Sequence, residues 1–144
     1  MLMNEAYLGE QGLMKNQRKV LIVSRDEGFQ GSISVVKQIA NSLDLVIINK
    51  VSRYEQALRS IQQTMPDLII CEASLEQETD GIELMRLINK IHPIPVFFIL
   101  NEHQSNLVEQ TKEFTTTGVI LKPLSTTQLK LSLKLSFTKV GLFI

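Results

Sequence analysis

The chain has 144 residues, of which 44% are hydrophobic and 21% charged, and this composition predicts one globular domain and excludes a disordered chain. Fifteen basic and fifteen acidic residues leave no net charge, so we expect neither nucleic acid nor an anionic membrane as a partner. The single cysteine, Cys71, excludes a disulfide framework and a cysteine-based metal site. Since no apolar run is long enough to span a membrane and no signal-peptide pattern is present, we expect a cytoplasmic location.

Residues 1–18 are polar with scattered leucines and no sustained period, which predicts a flexible tail before a single domain over residues 19–140. Within that domain, short apolar runs without alternation are typical of strands that are buried on both faces of a parallel sheet. The predicted strands are residues 19–23, 45–48, 66–72, 95–100 and 118–121.

Apolar side chains at spacings of three and four residues predict amphipathic helices between these strands. The predicted helices cover residues 29–42, 54–61 and 80–92, with a weaker one within 101–117. Asp26 is a suitable N-cap for the first of them. Alternation of short strands with helices predicts an α/β fold, a doubly wound five-stranded parallel sheet of order 2-1-3-4-5.

In such a sheet the residues that follow strands one, three, four and five meet at one crevice, where ligands bind. In this sequence they are Ser24, Arg25, Glu72, Leu100, Asn101 and Lys122. Here the chain resembles the receiver domain of bacterial two-component response regulators, over roughly residues 18–137. The motifs that carry the resemblance are PDLII at 66–70, Asp80-Gly81, PVFFI at 95–99 and GVILKP at 118–123.

The resemblance implies a site in which two acids hold Mg²⁺ and an aspartate accepts the phosphoryl group, with a hydroxyl and a lysine beside it. Ser24 and Arg25 stand at the positions of the two acids, and Glu72 stands at that of the aspartate. Leu100 replaces the hydroxyl, Val119 replaces the aromatic residue that switches conformation, and Lys122 is retained. The resemblance is therefore to a degenerate pseudo-receiver that has lost Mg²⁺ and has no other cofactor.

Arg25 would repel a metal ion at the place where the family has a ligand, and it could neutralise a carboxylate instead. We therefore expect a cluster of Arg25, Glu72 and Lys122, in which fixed cations substitute for the metal. An alternative alignment makes Asp26 and Glu27 the metal-binding acids, but it requires a two-residue insertion after the first strand.

Leu129, Leu131, Leu133, Leu135 and Phe137 alternate with polar residues, and this pattern by itself favours a strand. The resemblance places a fifth helix here instead, after Lys122-Pro123, with Ser125 as its N-cap. On a helix, Leu131 and Leu135 would lie opposite the buried stripe. We then expect an interface at these two leucines, such as a homodimer through the face formed by helix four, strand five and helix five.

These observations favour a signalling module of a two-component phosphorelay. We expect that the module is not an enzyme, that it acts by protein–protein interaction and that it does not depend on phosphorylation. Its partner would be a histidine kinase or an output protein. A phosphoacceptor with an unusual site is a second interpretation. An unrelated flavodoxin-like enzyme or cofactor binder is a third, although no G-x-G-x-x-G loop is present and neither His92 nor His103 follows a predicted strand.

Overall fold

The computed structural model describes residues 17–25 and 32–139, which form one parallel sheet with helices on both faces. The strands are β1 (Arg18–Val23), β2 (Leu45–Val51), β3 (Leu68–Glu72), β4 (Val96–Leu100) and β5 (Thr116–Leu121). Neighbouring strands are parallel and their order is β2-β1-β3-β4-β5, so the predicted class and strand order are confirmed. Residues 1–16 of the predicted tail and the predicted cap Asp26 lie outside the described residues.

Five helices connect or follow the strands: α1 (Ser32–Ala40), α2 (Tyr54–Gln63), α3 (Asp80–Ile91), α4 (Val108–Thr111) and α5 (Thr126–Lys139). Short 3-10 turns at Asn41–Leu43 and Glu102–Leu107 extend α1 and precede α4. One face of the sheet packs against α1 and α5, and the other packs against α2, α3 and the segment around α4. No helix in the described part of the chain is long and apolar enough to cross a bilayer.

The apolar runs of the inner strands follow from this two-sided cover. Val20 and Ile22 of β1 belong to the core beneath α1 and α5, whereas Leu21 and Val23 belong to the core beneath α2 and α3. Strands β3 and β4 alternate in the same way between the two cores. Because each face is covered by helices, the apolar runs of these strands, such as residues 20–23 of β1, leave no position for a solvated polar side chain.

Strand β2 is longer than predicted because it is an edge strand. Its polar residues Asn49 and Lys50 still pair with β1, where one side of the strand is free of sheet partners. The pairing partner changes from Ile47 to Asn49 between consecutive residues of β1, so Ile48 is the extra residue of a bulge.

The alternating segment at the end of the domain is a helix, so the strand that its alternation favours does not form. Leu129, Leu133 and Phe137 are buried against the sheet, whereas Leu131 and Leu135 are 57% and 62% exposed. Residues four apart share one face of a helix, and residues two apart lie on nearly opposite faces. The apolar surface of the sheet on this side requires a cover, and the four-residue spacing provides it.

Candidate functional site

The carboxyl ends of β1, β3, β4 and β5 lie at one edge of the sheet. Parallel pairing places Val23 beside Cys71, and Glu72 beside Ile99. An open crevice of about 510 Å³ lies above the strand ends. Its lining includes Arg25, Glu72, Glu76, Asn101, His103 and Lys122.

Glu72 is the centre of this site and is only 7% exposed. The hydroxyl of Ser24, which is also buried, donates a hydrogen bond to Glu72 Oε2 at 2.6 Å. The ammonium group of Lys122 lies 2.9 Å from Glu72 Oε1. A buried carboxylate is costly unless it is paired and hydrogen-bonded, and here both oxygens have partners from the chain itself. The expected contact between Glu72 and Lys122 is therefore present.

Arg25 does not join this cluster. Its guanidinium forms an ion pair with Glu76, in the loop between β3 and α3, and the two side chains are 50% and 67% exposed. The expected Arg25–Glu72 contact is thus wrong. The physical reason is that Ser24 and Lys122 already satisfy the buried carboxylate, whereas Arg25 remains hydrated when it pairs with an exposed glutamate.

The loop between β3 and α3 is held by Asp80, the first residue of α3. Its carboxylate accepts hydrogen bonds from the backbone N–H groups of Leu75, Glu76 and Gln77, at 2.6, 2.9 and 3.0 Å. Burial by itself raises the pKa of Asp80, but these backbone hydrogen bonds outweigh it and hold the pKa below its ordinary value. Asp80 is therefore a structural carboxylate that shapes the loop carrying Glu76.

Cys71 precedes Glu72 on β3 and is fully buried. Burial, with smaller contributions from the charges of Glu72 and Asp80, raises the pKa of this thiol far above its ordinary value. The thiol therefore stays protonated and does not act as a nucleophile.

The two remaining positions, which carry a hydroxyl and an aromatic residue in receiver domains, hold apolar side chains here and lie in apolar surroundings. Leu100, at the end of β4, is completely buried in the core beneath α2 and α3. Val119 on β5 is partly buried against the same core. Neither residue can donate a hydrogen bond to a group bound near Glu72.

The side chains described at this site do not fit Mg²⁺. A hard divalent cation takes several oxygen ligands, usually including more than one carboxylate or phosphate group. Here Glu72 is engaged by Ser24 and Lys122, and Glu76 is engaged by Arg25. Within residues 17–25 and 32–139, no group of three or more His, Cys, Asp or Glu side chains could hold a metal ion. Asp26 and Glu27, the acids of the alternative alignment, lie outside the described residues.

Comparison with known proteins places this chain in one family. The family model of the response regulator receiver domain matches residues 20–134 of the chain. No curated protein matches the sequence significantly.

Among solved structures, the chain is similar to the N-terminal domain of a response regulator/sensory box/GGDEF three-domain protein from Carboxydothermus hydrogenoformans. That match has 22% identity and a TM-score of 0.70, and it covers 86% of this chain and 97% of the other. It is also similar to the signal receiver domain of a modulated diguanylate cyclase from Desulfovibrio desulfuricans G20, with 22% identity, a TM-score of 0.68 and coverage of 88% and 98%. The receiver domain of the PhyR response regulator from Erythrobacter litoralis matches with 18% identity, a TM-score of 0.69 and coverage of 87% and 93%.

A doubly wound five-stranded α/β domain with a charged crevice at the carboxyl ends of its strands is a receiver-like architecture. The chain belongs to the response regulator receiver domain family, because the family model covers most of its length. Receiver domains signal in two-component systems through protein partners and are generally not enzymes.

Two residues that bind across this crevice were not among the predicted site residues. Glu76 pairs with Arg25, and Gln104 connects the loops that follow β3 and β4. Strand register does not determine where loop side chains reach, so neither partnership has a signal in the sequence. The low exposure of Gln104, 1%, becomes visible only in the folded chain.

Proposed function

We propose that this receiver domain signals without accepting a phosphoryl group, through contacts with a histidine kinase or an output protein. The observation that carries this proposal is the state of Glu72. It stands at the position of the acceptor aspartate, and its two oxygens are bonded to Ser24 and Lys122. A carboxylate nucleophile must present a free oxygen to the incoming phosphorus, and that position here is buried and paired.

Electrostatics supports the loss of Mg²⁺. Two unit charges about 4 Å apart interact by about 4 kcal/mol at an effective dielectric near 20. Replacing an acid by Arg25, which is itself paired with Glu76, removes one oxygen ligand and the attraction that its carboxylate would supply to the metal. The nearby Lys122 remains as the cation that neutralises Glu72, so the site keeps its charge balance without a metal ion.

Glu72 is better suited to hold the domain in one fixed conformation than to mimic the phosphorylated state. A phosphoryl group carries about two negative charges and three acceptor oxygens, whereas Glu72 carries one charge, already neutralised by Lys122. Leu100 and Val119, at the positions that would respond to such a group, have no hydroxyl and no aromatic ring.

The experiment that tests this proposal is incubation of the intact chain with acetyl phosphate and Mg²⁺, followed by intact-mass spectrometry. The mass should remain unchanged, while a receiver domain with both acids and the acceptor aspartate gains one phosphoryl group under the same conditions. A stable gain of one phosphoryl mass that maps to residues 66–80 would instead establish the phosphoacceptor interpretation.

We also infer that the edge of the domain formed by α4, β5 and α5 is a self-association surface. Leu131 and Leu135 lie on the outer side of α5, and Leu121 at the end of β5 is 39% exposed. Because Leu129, Leu133 and Phe137 face the sheet, residues 131 and 135 lie on the opposite, solvent-facing side of α5.

The charges on this edge favour a two-fold partner. Helix α5 carries Lys130 and Lys134 and no acidic residue, whereas the segment around α4 carries Glu102, together with Glu109 and Glu113, which pair with Lys112 and Arg86. A two-fold axis parallel to β5 places α4 of one copy opposite α5 of the other. The acidic and basic flanks would then meet twice around the buried leucines.

A further inference from the structure

Gln104 is an uncharged polar residue that is almost completely buried beside an open crevice. It lies in the 3-10 segment Glu102–Leu107, between β4 and α4, and its exposed fraction is 1%. The backbone at Gln104 departs from helical geometry, with φ −106° and ψ 22°. The helix therefore does not continue smoothly through this residue, and its side chain turns towards the loop that follows β3.

The amide of Gln104 bonds to both loops at once. Its Nε2 donates to Ser74 Oγ at 2.6 Å and to the backbone oxygen of Glu78 at 3.1 Å, both in the loop between β3 and α3. Its Oε1 accepts from the backbone N–H of Asn101 at 2.9 Å, at the end of β4. Both amide hydrogens and the carbonyl oxygen thus have partners, and a reversed amide would bring donor against donor at Asn101.

Ser74 has a hydrogen-bond partner of its own within the loop. The Ser74 hydroxyl donates to the backbone oxygen of Glu78, so Ser74, Glu78 and Gln104 form one small network. The same loop carries Glu76, which holds Arg25, and it is shaped by Asp80. Through Gln104, the loop above Glu72 is therefore connected directly to the segment that leads into α4.

We propose that Gln104 is a positioning residue that fastens the β3–α3 loop to the β4–α4 segment, so that the surroundings of Glu72 and the α4 surface form one rigid unit. This inference rests on the proposed function, because a domain that does not switch needs these two loops in one fixed arrangement. Buried polar networks in which every member is satisfied make a structure more rigid.

The test is hydrogen–deuterium exchange with mass spectrometry on the Gln104→Leu variant, which keeps most of the side-chain volume and removes the amide. Peptides over both 73–79 and 101–107 should exchange at least about tenfold faster, since buried hydrogen bonds are lost in both loops. Peptides from β1 and α5 should be unchanged. The matched control is Gln110→Leu, because the amide oxygen of Gln110 accepts a hydrogen bond from Arg86 at 3.3 Å, away from both loops.

Faster exchange confined to 101–107 would overturn the proposal, since Gln104 would then only cap its own segment. A second variant, Ser74→Ala, removes the partner from the other loop and should speed exchange in 101–107, which no cap within that segment explains. If exchange over 101–107 is unchanged in the Ser74→Ala variant, the proposed connection between the two loops is also contradicted. The proposed function is tested separately, because phosphoryl uptake by the unmodified chain, measured by mass, would refute it. That outcome would not alter the exchange result, which tests only the role of Gln104.

Discussion

Lys122 Nζ lies 2.9 Å from Glu72 Oε1 and so connects the end of β5 to the end of β3 across the intervening strand. The carboxylate of this pair is buried and the lysine side chain is 30% exposed. The other ion pair of the crevice, Arg25 with Glu76, is exposed on both sides. The two pairs lie beside the same crevice, but they should contribute very differently to stability.

Glu72→Gln should lower the free energy of unfolding by about 1 to 3 kcal/mol, because Lys122 loses its counter-ion and a charge-assisted bond from Ser24 is weakened. The matched control, Glu76→Gln, should cost about 0 to 1 kcal/mol, since exposed pairs contribute little. Urea denaturation followed by circular dichroism measures both values. Equal costs for the two variants would contradict the importance of burial here.

Gly81 allows the start of α3 to approach the end of β3. Its N–H donates to the backbone oxygen of Ala73 at 2.8 Å. A Cβ at this position would lie 1.9 Å from the backbone oxygen of Glu72 and 2.8 Å from that of Ala73. Gly81→Ala should therefore cost about 3 kcal/mol or more, because two backbone oxygens at the site would have to move.

Gly118→Ala is the matched control for this close approach. Its Cβ would come within 2.7 Å of the Phe97 ring, a side chain that can shift, instead of a strand backbone. We expect a smaller cost, about 1 to 3 kcal/mol. Denaturant midpoints of the two variants, compared with that of the unmodified chain, show which substitution destabilises the domain more. A smaller effect at residue 81 than at residue 118 would mean that the backbone at the site can adjust to the added Cβ.

The strands were predictable because both faces of the sheet are covered, and so each inner strand is an unbroken apolar run. The edge strand β2 was underestimated for the opposite reason: Asn49 and Lys50 are tolerated where solvent reaches the strand. In α5 the alternation of leucines was misleading, since only Leu129, Leu133 and Phe137 face the sheet.

The pairing of Glu72 with Lys122 was also predictable, because strand order alone brings their positions together. The partner of Arg25 was not, because the loop from Ala73 to Thr79 takes its shape from backbone hydrogen bonds to Asp80. The resemblance drew attention to Asp80 only as part of a motif. Its role as an acceptor for three N–H groups required the folded loop.

Asp80 makes the β3–α3 loop sensitive to acid. Its pKa is below the ordinary value of 3.8, since hydrogen bonds from the backbone outweigh the effect of burial. A group whose pKa is lowered by folding stabilises the native state above its unfolded-state pKa, and this stabilisation is lost as the pH falls through the lower native value.

Asp80→Asn should therefore cost about 1 to 3 kcal/mol near neutral pH, because an amide nitrogen cannot accept these hydrogen bonds. The difference in unfolding free energy between the variant and the unmodified chain should shrink as the pH is lowered below 3.8. Urea titrations at a series of pH values measure this difference. A gap that stays constant with pH would show that the charge of Asp80 does not support the loop.

Self-association through α5 depends on its two exposed leucines. Leu131 and Leu135 are 57% and 62% exposed, and burying the exposed part of each would contribute about 1 to 2 kcal/mol. A two-fold partner covers the pair on both copies and brings the lysines of α5 towards the glutamates around α4. The unmodified chain should sediment as a dimer at micromolar concentration, and the Leu131→Glu, Leu135→Glu variant as a monomer.

The control variant carries the same change on another helix. Leu87 and Ile91 of α3 are 46% and 54% exposed and have the same four-residue spacing. Arg86 of α3 contacts Glu113 beyond α4, which places residues 87 and 91 on the opposite flank of α3, turned away from α4 and the β5 edge. Leu87→Glu, Ile91→Glu should therefore leave the dimer intact. If the unmodified chain is already monomeric at this concentration, or if the α5 variant still dimerises, the edge formed by α4, β5 and α5 does not hold two copies together.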